Sequence, residues 1–430
     1  MKGAVSNLIG IVLLSVSAYA GDVTIREMLL ASLNDDAVKE LDRTTKVNTK
    51  GSYGGIPFID DIELRMRNEA FDIYRMRYTL RIRPRGIGET KAGSQFDRTF
   101  SQNFKRKLEF GKNGALRDRY IQILDQMEER ALEQNYRELI EVYEDMIKVM
   151  EKKQSDVAAF ELDKLIDGED KNTKLHNDIY ELKRGFFPSY NGIMNSLHAK
   201  ELGVFDTTGF VDIDSVIALV ERNNFSFDTN NAYLEYYRSR YQLAEARFQL
   251  EKAEQRQYIS LLAASYDNGE MLDQLEDRDK FKNYDLKYAY HLELGIRIPD
   301  LTMARYDLAR RKADYLDEKD DYEKAKRELV GRMNKDKEDL LSFIAQYRFL
   351  KARETEVDAN SSLKKYLQMS GVDPLILLKI KESIVKNHVE MQKLKYRILR
   401  NYIQVIDYCG ILSKQPLRNY LSKEMEVLQP

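Results

Sequence analysis

Four histidines, one cysteine and two acidic clusters are the groups in this sequence best suited to bond-making chemistry, and their spacing argues against it. His176, His198, His291 and His388 stand apart, with no His or Glu four residues away in the form that grips a metal on one helix face. His388 and Glu390 are two residues apart and so point to different sides of a helix. Cys409 is the only cysteine and reads as a small buried hydrophobe. "DEKDD" (317–321) and "DGED" (167–170) read as exposed helix charge or turn, and "RGIGE" (85–89) as a turn between strands. No nucleophile elbow, phosphate loop or dinucleotide fingerprint occurs. The sequence supports no enzyme, no cofactor and no bound metal.

The 430 residues carry a formal net charge of −2 with a third of them charged, and the signs are mixed locally, so nothing points to nucleic acid. Only 7 prolines interrupt a chain rich in Glu, Lys, Leu, Arg and Ala, which favours long helices. Tryptophan is absent while tyrosine reaches 27, the aromatic suited to a boundary between water and apolar matter. The opening "MKGAVSNLIGIVLLSVSAYAGDV" has Lys2, an apolar run from Leu8 to Val16, and small residues at Ala18 and Ala20: a secretory signal over 1–20. An uncleaved anchor would need a longer apolar run.

What must then be positioned is a surface, not a catalytic group. In "YDLKYAYHLELGIRIPD" (284–300), Tyr284, Leu286, Tyr288, Tyr290, Leu292, Leu294, Ile296 and Ile298 fall on one face of an extended chain. Asp285, Lys287, His291, Glu293 and Arg297 fall on the other. The chain also repeats: "VTIREMLLASLNDD" (23–36) aligns with "VDIDSVIALVERNN" (211–224) at an offset of 188. That offset carries Tyr78 onto Tyr266, and Leu108 and Phe110 onto Ile296 and Ile298. The expected plan is a first repeat over 21–210, with strands at about 77–84 and 100–110 and a helical hairpin at about 112–200. A second repeat over 211–415 has strands at about 258–266 and 284–298 and a hairpin at about 301–412, and a tail covers 416–430. A charged second helix is expected at about 58–76 and at 230–257, with loops at 85–95 and 267–283. Arg81, Arg83, Lys105, Arg106 and Lys107 on the first pair of strands either suit lipid poorly or face a lumen.

Leu301, Leu308, Tyr315, Tyr322 and Leu329 step by seven, and Met333, Leu340 and Tyr347 continue after a four-residue stutter, predicting one helix over about 301–370. Gly371, Asp373 and Pro374 in "SGVDP" supply its turn, and Leu377, Ile384, Met391, Ile398 and Val405 line the returning arm. The first hairpin is expected to turn at Gly168. With both tips at one end, Asp167, Glu169, Asp170 and Asp373 become candidates for a tunnel mouth or a partner contact. The fold class is therefore mostly α with a small β part: tandem helical hairpins in coiled-coil register plus four amphipathic strands. Four strands cannot close a barrel, and copies of the chain joined edge to edge can. An exported barrel with an apolar outer face belongs in an outer membrane.

At this point the sequence resembles the TolC-like outer-membrane efflux and secretion channels. The resemblance rests on the two opening segments above, on "LGIRIPDLTMARYDLARRKADYLDEKDDYEKAKREL" as a strand–proline–long-helix junction, and on "YLQMSGVDPLILLKIKESIVKNHVEMQKLKYRILRNYIQVIDYCGIL" as a terminal hairpin. It implies a homotrimer that completes one β-barrel in outer-membrane lipid, with coiled helices forming a periplasmic tunnel. It also implies docking to a periplasmic adaptor (membrane fusion) protein and an inner-membrane pump or secretion transporter, as an exit duct for efflux or type I secretion. The glycine pair usual after the junction proline is absent from "PDLTMA" and "FGKNGA". The acidic constriction six and nine positions past the tip glycine is not carried over: Leu377 and Ile380 stand there, a possible apolar constriction that also reads as coiled-coil core. A periplasmic coiled-coil adaptor or scaffold that never enters the membrane is the competing reading.

Overall fold

The computed structural model describes residues 23–50, 58–68, 76–153, 162–197, 205–206, 209–223, 225, 228, 230–256, 259–267, 290–296, 301–359, 373–412 and 414–428. The expected signal segment, Gly371, Tyr284, Leu286, Tyr288 and Ile298 lie outside the described residues. In chain order the elements are β1 (Val23–Thr24), α1 (Ile25–Ser32), α2 (Asp36–Lys50), β2 (Ile59–Asn68), β3 (Met76–Pro84), α3 (Ile87–Lys153), α4 (Leu162–Leu197), β4 (Phe205–Asp206), α5 (Ile213–Arg222), α6 (Ala232–Glu254), β5 (Ile259–Asp267), β6 (Tyr290–Ile296), α7 (Leu301–Ala359) and α8 (Pro374–Tyr408). They divide into two compact units. One gathers residues 1–40, 111–231 and 329–430, the other 41–110 and 232–328.

The first unit holds the main apolar core. Thr24 and Glu27 form a reciprocal cap on α1: the Thr24 hydroxyl accepts from the Glu27 amide at 3.2 Å, and the Glu27 carboxylate accepts from the Thr24 amide at 3.0 Å. The repeat is visible in what these helices bury. Ile25, Met28 and Leu29 of α1 and Ile213, Val216 and Ile217 of α5, each pair related by 188, all lie in one core cluster. That cluster also takes Met333, Leu340 and Tyr347 of α7 and Ile398 and Val405 of α8, so the heptad seam predicted from sequence is buried along this stretch. α8 stops where Gly410 takes φ 66°, with the Ile411 amide on the Ile406 carbonyl at 3.1 Å and the Gly410 amide on Asp407 at 2.9 Å. The tail then folds back over the core, burying Leu412, Leu421 and Leu428. The Tyr120 hydroxyl donates to the Arg418 carbonyl at 2.9 Å and accepts from the Tyr420 amide at 3.2 Å, fixing that return.

Asp407 is the costly group in this core. The residue is 6% exposed, and burial pushes its carboxyl above the usual range. Asn113 donates to its carboxylate at 2.6 Å, Arg117 approaches at 3.6 Å, and Asn231 donates to its backbone carbonyl at 2.6 Å.

The second unit departs from the sequence expectation in three places. Residues 100–110, expected as a strand, are helical within α3. Phe96, Phe100 and Phe104 are spaced by four and meet in series along one helix face, one pair tilted and the next edge-to-face, with ring centroids 5.8 and 4.9 Å apart. Phe100, Phe104, Leu108 and Phe110 also share parity on an extended chain, which is why the stretch resembles a strand in sequence. Residues 59–68, expected within a charged helix, form β2 instead: Ile62, Leu64 and Met66 alternate with Glu63, Arg65 and Arg67, a period of two hidden by the charge of the odd positions. Residues 87–95, expected as loop, are the first turns of α3, whose Glu89 accepts from the Gly86 amide at 3.3 Å.

Replacing Asn113 with Ala should destabilise the protein by about 1–3 kcal/mol, because a buried carboxylate loses its shortest donor. Thermal unfolding should register a clear fall for Asn113→Ala and a much smaller one for Arg137→Ala, whose ion pair with Glu133 is surface-exposed.

Candidate functional site

β2, β3, β5 and β6 form one four-stranded antiparallel sheet in that order. Its register sorts the side chains completely. Met66, Tyr78, Tyr266 and Tyr290 are cross-strand partners, as are Leu64, Leu80, Ala264 and Leu292, and as are Ile62, Ile82, Leu262 and Leu294. Directly opposed residues share a face, so three rows across four strands make one apolar surface. Arg67, Arg77 and Asp267 form a row on the other face, followed by Arg65, Thr79, Ser265 and His291, then Glu63, Arg81, Ala263 and Glu293. The apolar face is open: Leu292 is 89% exposed, Ile296 68% and Leu64 61%. Leaving such side chains in water forgoes roughly 1.5–3 kcal/mol for each.

The two hairpins of the sheet are copies. Each carries an irregularity at its start, between Ile59 and Asp61 and between Ile259 and Leu261, an offset of 259 − 59 = 200. Pro84 and Ile296 occupy matching places opposite them, an offset of 296 − 84 = 212. The single offset of 188 inferred from sequence therefore holds for the opening helices and fails beyond them. Tyr78 and Tyr266, equated by it, are direct partners on β3 and β5, and Leu108 and Phe110 are helical. The repeat has drifted because its connections grew: 69–75 join the first pair of strands and 268–289 the second. Gly295 is required where β6 meets the irregularity, since a Cβ there would lie 2.9 Å from the Leu261 Cβ and 2.9 Å from the Ser260 hydroxyl.

The sheet is open at both sides. Among the described residues, β2 and β6 each have one neighbour, leaving a row of backbone donors and acceptors on either edge. β6 runs antiparallel to β2, because three antiparallel pairings separate them. Among the described residues no helix is long and apolar enough to cross a membrane.

The helical tips are built differently from one another. Asp373 caps α8, accepting from the Leu375 amide at 3.0 Å with Pro374 in the first turn, and Lys153 at the end of α3 reaches its carboxylate at 2.7 Å. Gly168 is not at a tip. It lies within α4, buried, with room for a Cβ only 3.4 Å from Ile147 Cγ1, so close helix packing and the Asp167–Lys171 pair at 2.6 Å outweigh its turn propensity. The first hairpin turns between Lys153 and Leu162. Leu377 and Ile380 are half-buried on α8, and Ile380 lines a groove with Phe349, Leu350, Ile376, Ile384 and His388. His388 contacts Glu354 of α7 at 2.5 Å rather than Glu390. Among the described residues no three His, Cys, Asp or Glu side chains are grouped as a metal site. Burial raises the Cys409 thiol to about 11, which keeps it unreactive.

No family model matches the sequence, and no curated protein matches it. Solved structures do match. CusC, described for its transmembrane channel formation, superposes with a TM-score of 0.62 at 12% identity over 90% of this chain and 92% of its own. The outer membrane protein VceC of Vibrio cholerae gives 0.62 at 10% identity over 90% and 96%. The MtrE outer membrane channel of Neisseria gonorrhoeae, in its open state, gives 0.58 at 11% over 92% and 94%.

Gly295→Val should destabilise the β5–β6 pairing by about 1–3 kcal/mol through overpacking, whereas Gly331→Ala, with open space around it, should be neutral or slightly stabilising in urea unfolding. The Asp373 carboxylate is held below its usual range by the Lys153 ammonium and then by the Leu375 amide. A depressed acid stabilises the fold above its unfolded value, near about 4, and stops doing so as the pH drops through the folded value. The melting difference between the native protein and Asp373→Ala, about 0.5–2 kcal/mol at pH 7, should therefore shrink at pH 3.

Taken together, the mostly helical tandem repeat, the four-stranded amphipathic sheet and these superpositions give the chain the fold of the TolC-like outer-membrane channels.

Proposed function

We propose that this protein is the wall segment of a trimeric outer-membrane channel, an exit duct for efflux or type I secretion that opens into a helical periplasmic tunnel. The observation that carries the reading is the sheet: a continuous apolar face on one side, a charged face on the other, and two edge strands that have no second neighbour among the described residues. β6 of one copy would meet β2 of the next antiparallel, as an all-antiparallel ring requires. Three copies give 3 × 4 = 12 strands, above the eight or so needed to close a barrel around an open lumen. Lipid would then cover the exposed rows from Tyr290 to Ile296, and the sequence alternation extends that face back to Tyr284 and on to Ile298.

The tips suit a docking role. Asp373, Pro374 and the Lys153 pair lie where the helices turn, the place at which a periplasmic adaptor and, through it, an inner-membrane pump or secretion transporter would engage. Leu377 and Ile380 follow within two turns, at the depth of a constriction. No catalysis and no cofactor enter this reading; the partners supply the energy.

The alternative of a periplasmic scaffold leaves the apolar face without a cover. Fractionation separates the two readings: the channel should stay with outer membranes until detergent is added and should cross-link as a trimer, whereas a scaffold is released by osmotic shock. Leu292→Arg, on the outward face, should cost about 2–4 kcal/mol of insertion and deplete the trimer, while Thr79→Arg on the inward face should not.

A further inference from the structure

Building on the proposed channel, we infer that the inward face of the sheet is an anion-selecting element, with Arg65, Arg67 and Arg77 forming a belt that favours small anionic solutes such as carboxylates and phosphates. The register places five arginines on that face, Arg65, Arg67, Arg77, Arg81 and Arg83, and all five sit on β2 and β3. Their distribution along the strands is uneven. The helix-connected end has Arg81 and Arg83 against Asp61 and Glu293, so 2 − 2 = 0. The loop end has Arg65, Arg67 and Arg77 against Asp267 and the Glu63 that Arg65 holds, so 3 − 2 = +1. Three copies would place 3 × 1 = +3 around one end of the lumen.

These cations are incompletely neutralised. Arg65 holds Glu63 at 2.7 Å, but Arg77 reaches Asp267 only at 4.0 Å, and Arg67 and Arg83 make no ion pair among the described residues. The Arg81 Nε is buried without a hydrogen-bond partner. Of the three belt arginines only Arg77 has an acid as its cross-strand partner, Asp267, while Arg65 is opposite Thr79 and Arg67 is opposite Arg77. Rings of guanidinium groups in a confined, water-filled pore lower the energy of a passing anion and raise that of a cation.

The test is a planar-bilayer recording of the full-length protein in a tenfold KCl gradient. The reversal potential should show chloride permeating about twofold or more better than potassium. The triple variant R65Q/R67Q/R77Q should move the reversal potential towards potassium. The triple lysine variant should keep the chloride preference, and Arg67→Gln alone should give a smaller shift in the same direction. A conducting native protein that prefers potassium, or a reversal potential indifferent to both glutamine variants, overturns the inference and leaves the channel reading intact. A protein that cross-links as a trimer and never conducts overturns the channel reading and this inference with it.

Discussion

Strand pleating is the constraint on which the molecule turns. Because successive side chains of an extended chain point to opposite faces, pairing β2, β3, β5 and β6 in one register leaves no freedom over which residues share a surface. A slip by one residue on β2 or β3 would place arginines among the leucines, and on β6 it would place His291 and Glu293 there. The irregularities at Ile59 and Ile259 and the bare backbone of Gly295 lie where the strands meet their flanking helical connections, and they fix the register there.

The helical unit obeys a different rule. Its apolar residues recur with the coiled-coil period, and the resulting core holds α1, α5, the later parts of α3 and α7, and α8 together with the tail. Charged groups enter this core in pairs, although Arg119 Nε and the neighbouring Gln122 Oε1 are left without a hydrogen bond. Arg400 is clasped by Asp125 at 2.6 Å and by Glu128, and Arg119, 3% exposed, reaches Asp35 at 3.3 Å. Such pairs cost desolvation and return orientation, which suits helices that must keep one rotational setting over many turns.

How much of this could be read from the residues depended on whether one period dominated locally. β6 was legible because nothing but alternation explains Tyr290, Leu292, Leu294 and Ile296. The α7 seam was legible because Tyr322, Leu329, Leu340 and Tyr347 keep step over many turns. β2 was missed because its odd positions are Glu63, Arg65 and Arg67, and a third of the chain is charged in helices as well. The stretch around Phe100 was misread because residues four apart also share parity, so a helix stripe can pass for a strand face. Gly168 misled because glycine marks turns and also marks close helix contacts, and only the position of Ile147 tells them apart. The arginines of β3 were visible in the sequence, but their common face with those of β2 emerges only once the strands are paired.

The two hairpins agree in backbone, down to the placement of their irregularities, yet differ in what they carry on the face opposite the apolar rows: arginine on β2 and β3, and Ala263, Ser265 and Glu293 on β5 and β6. A ring assembled from three such chains would therefore be nearly sixfold in its hydrogen-bonded frame while its electrostatics stay threefold. Gene duplication would have supplied the geometry of a cylinder, and divergence between the duplicates would have painted alternating stripes along its bore.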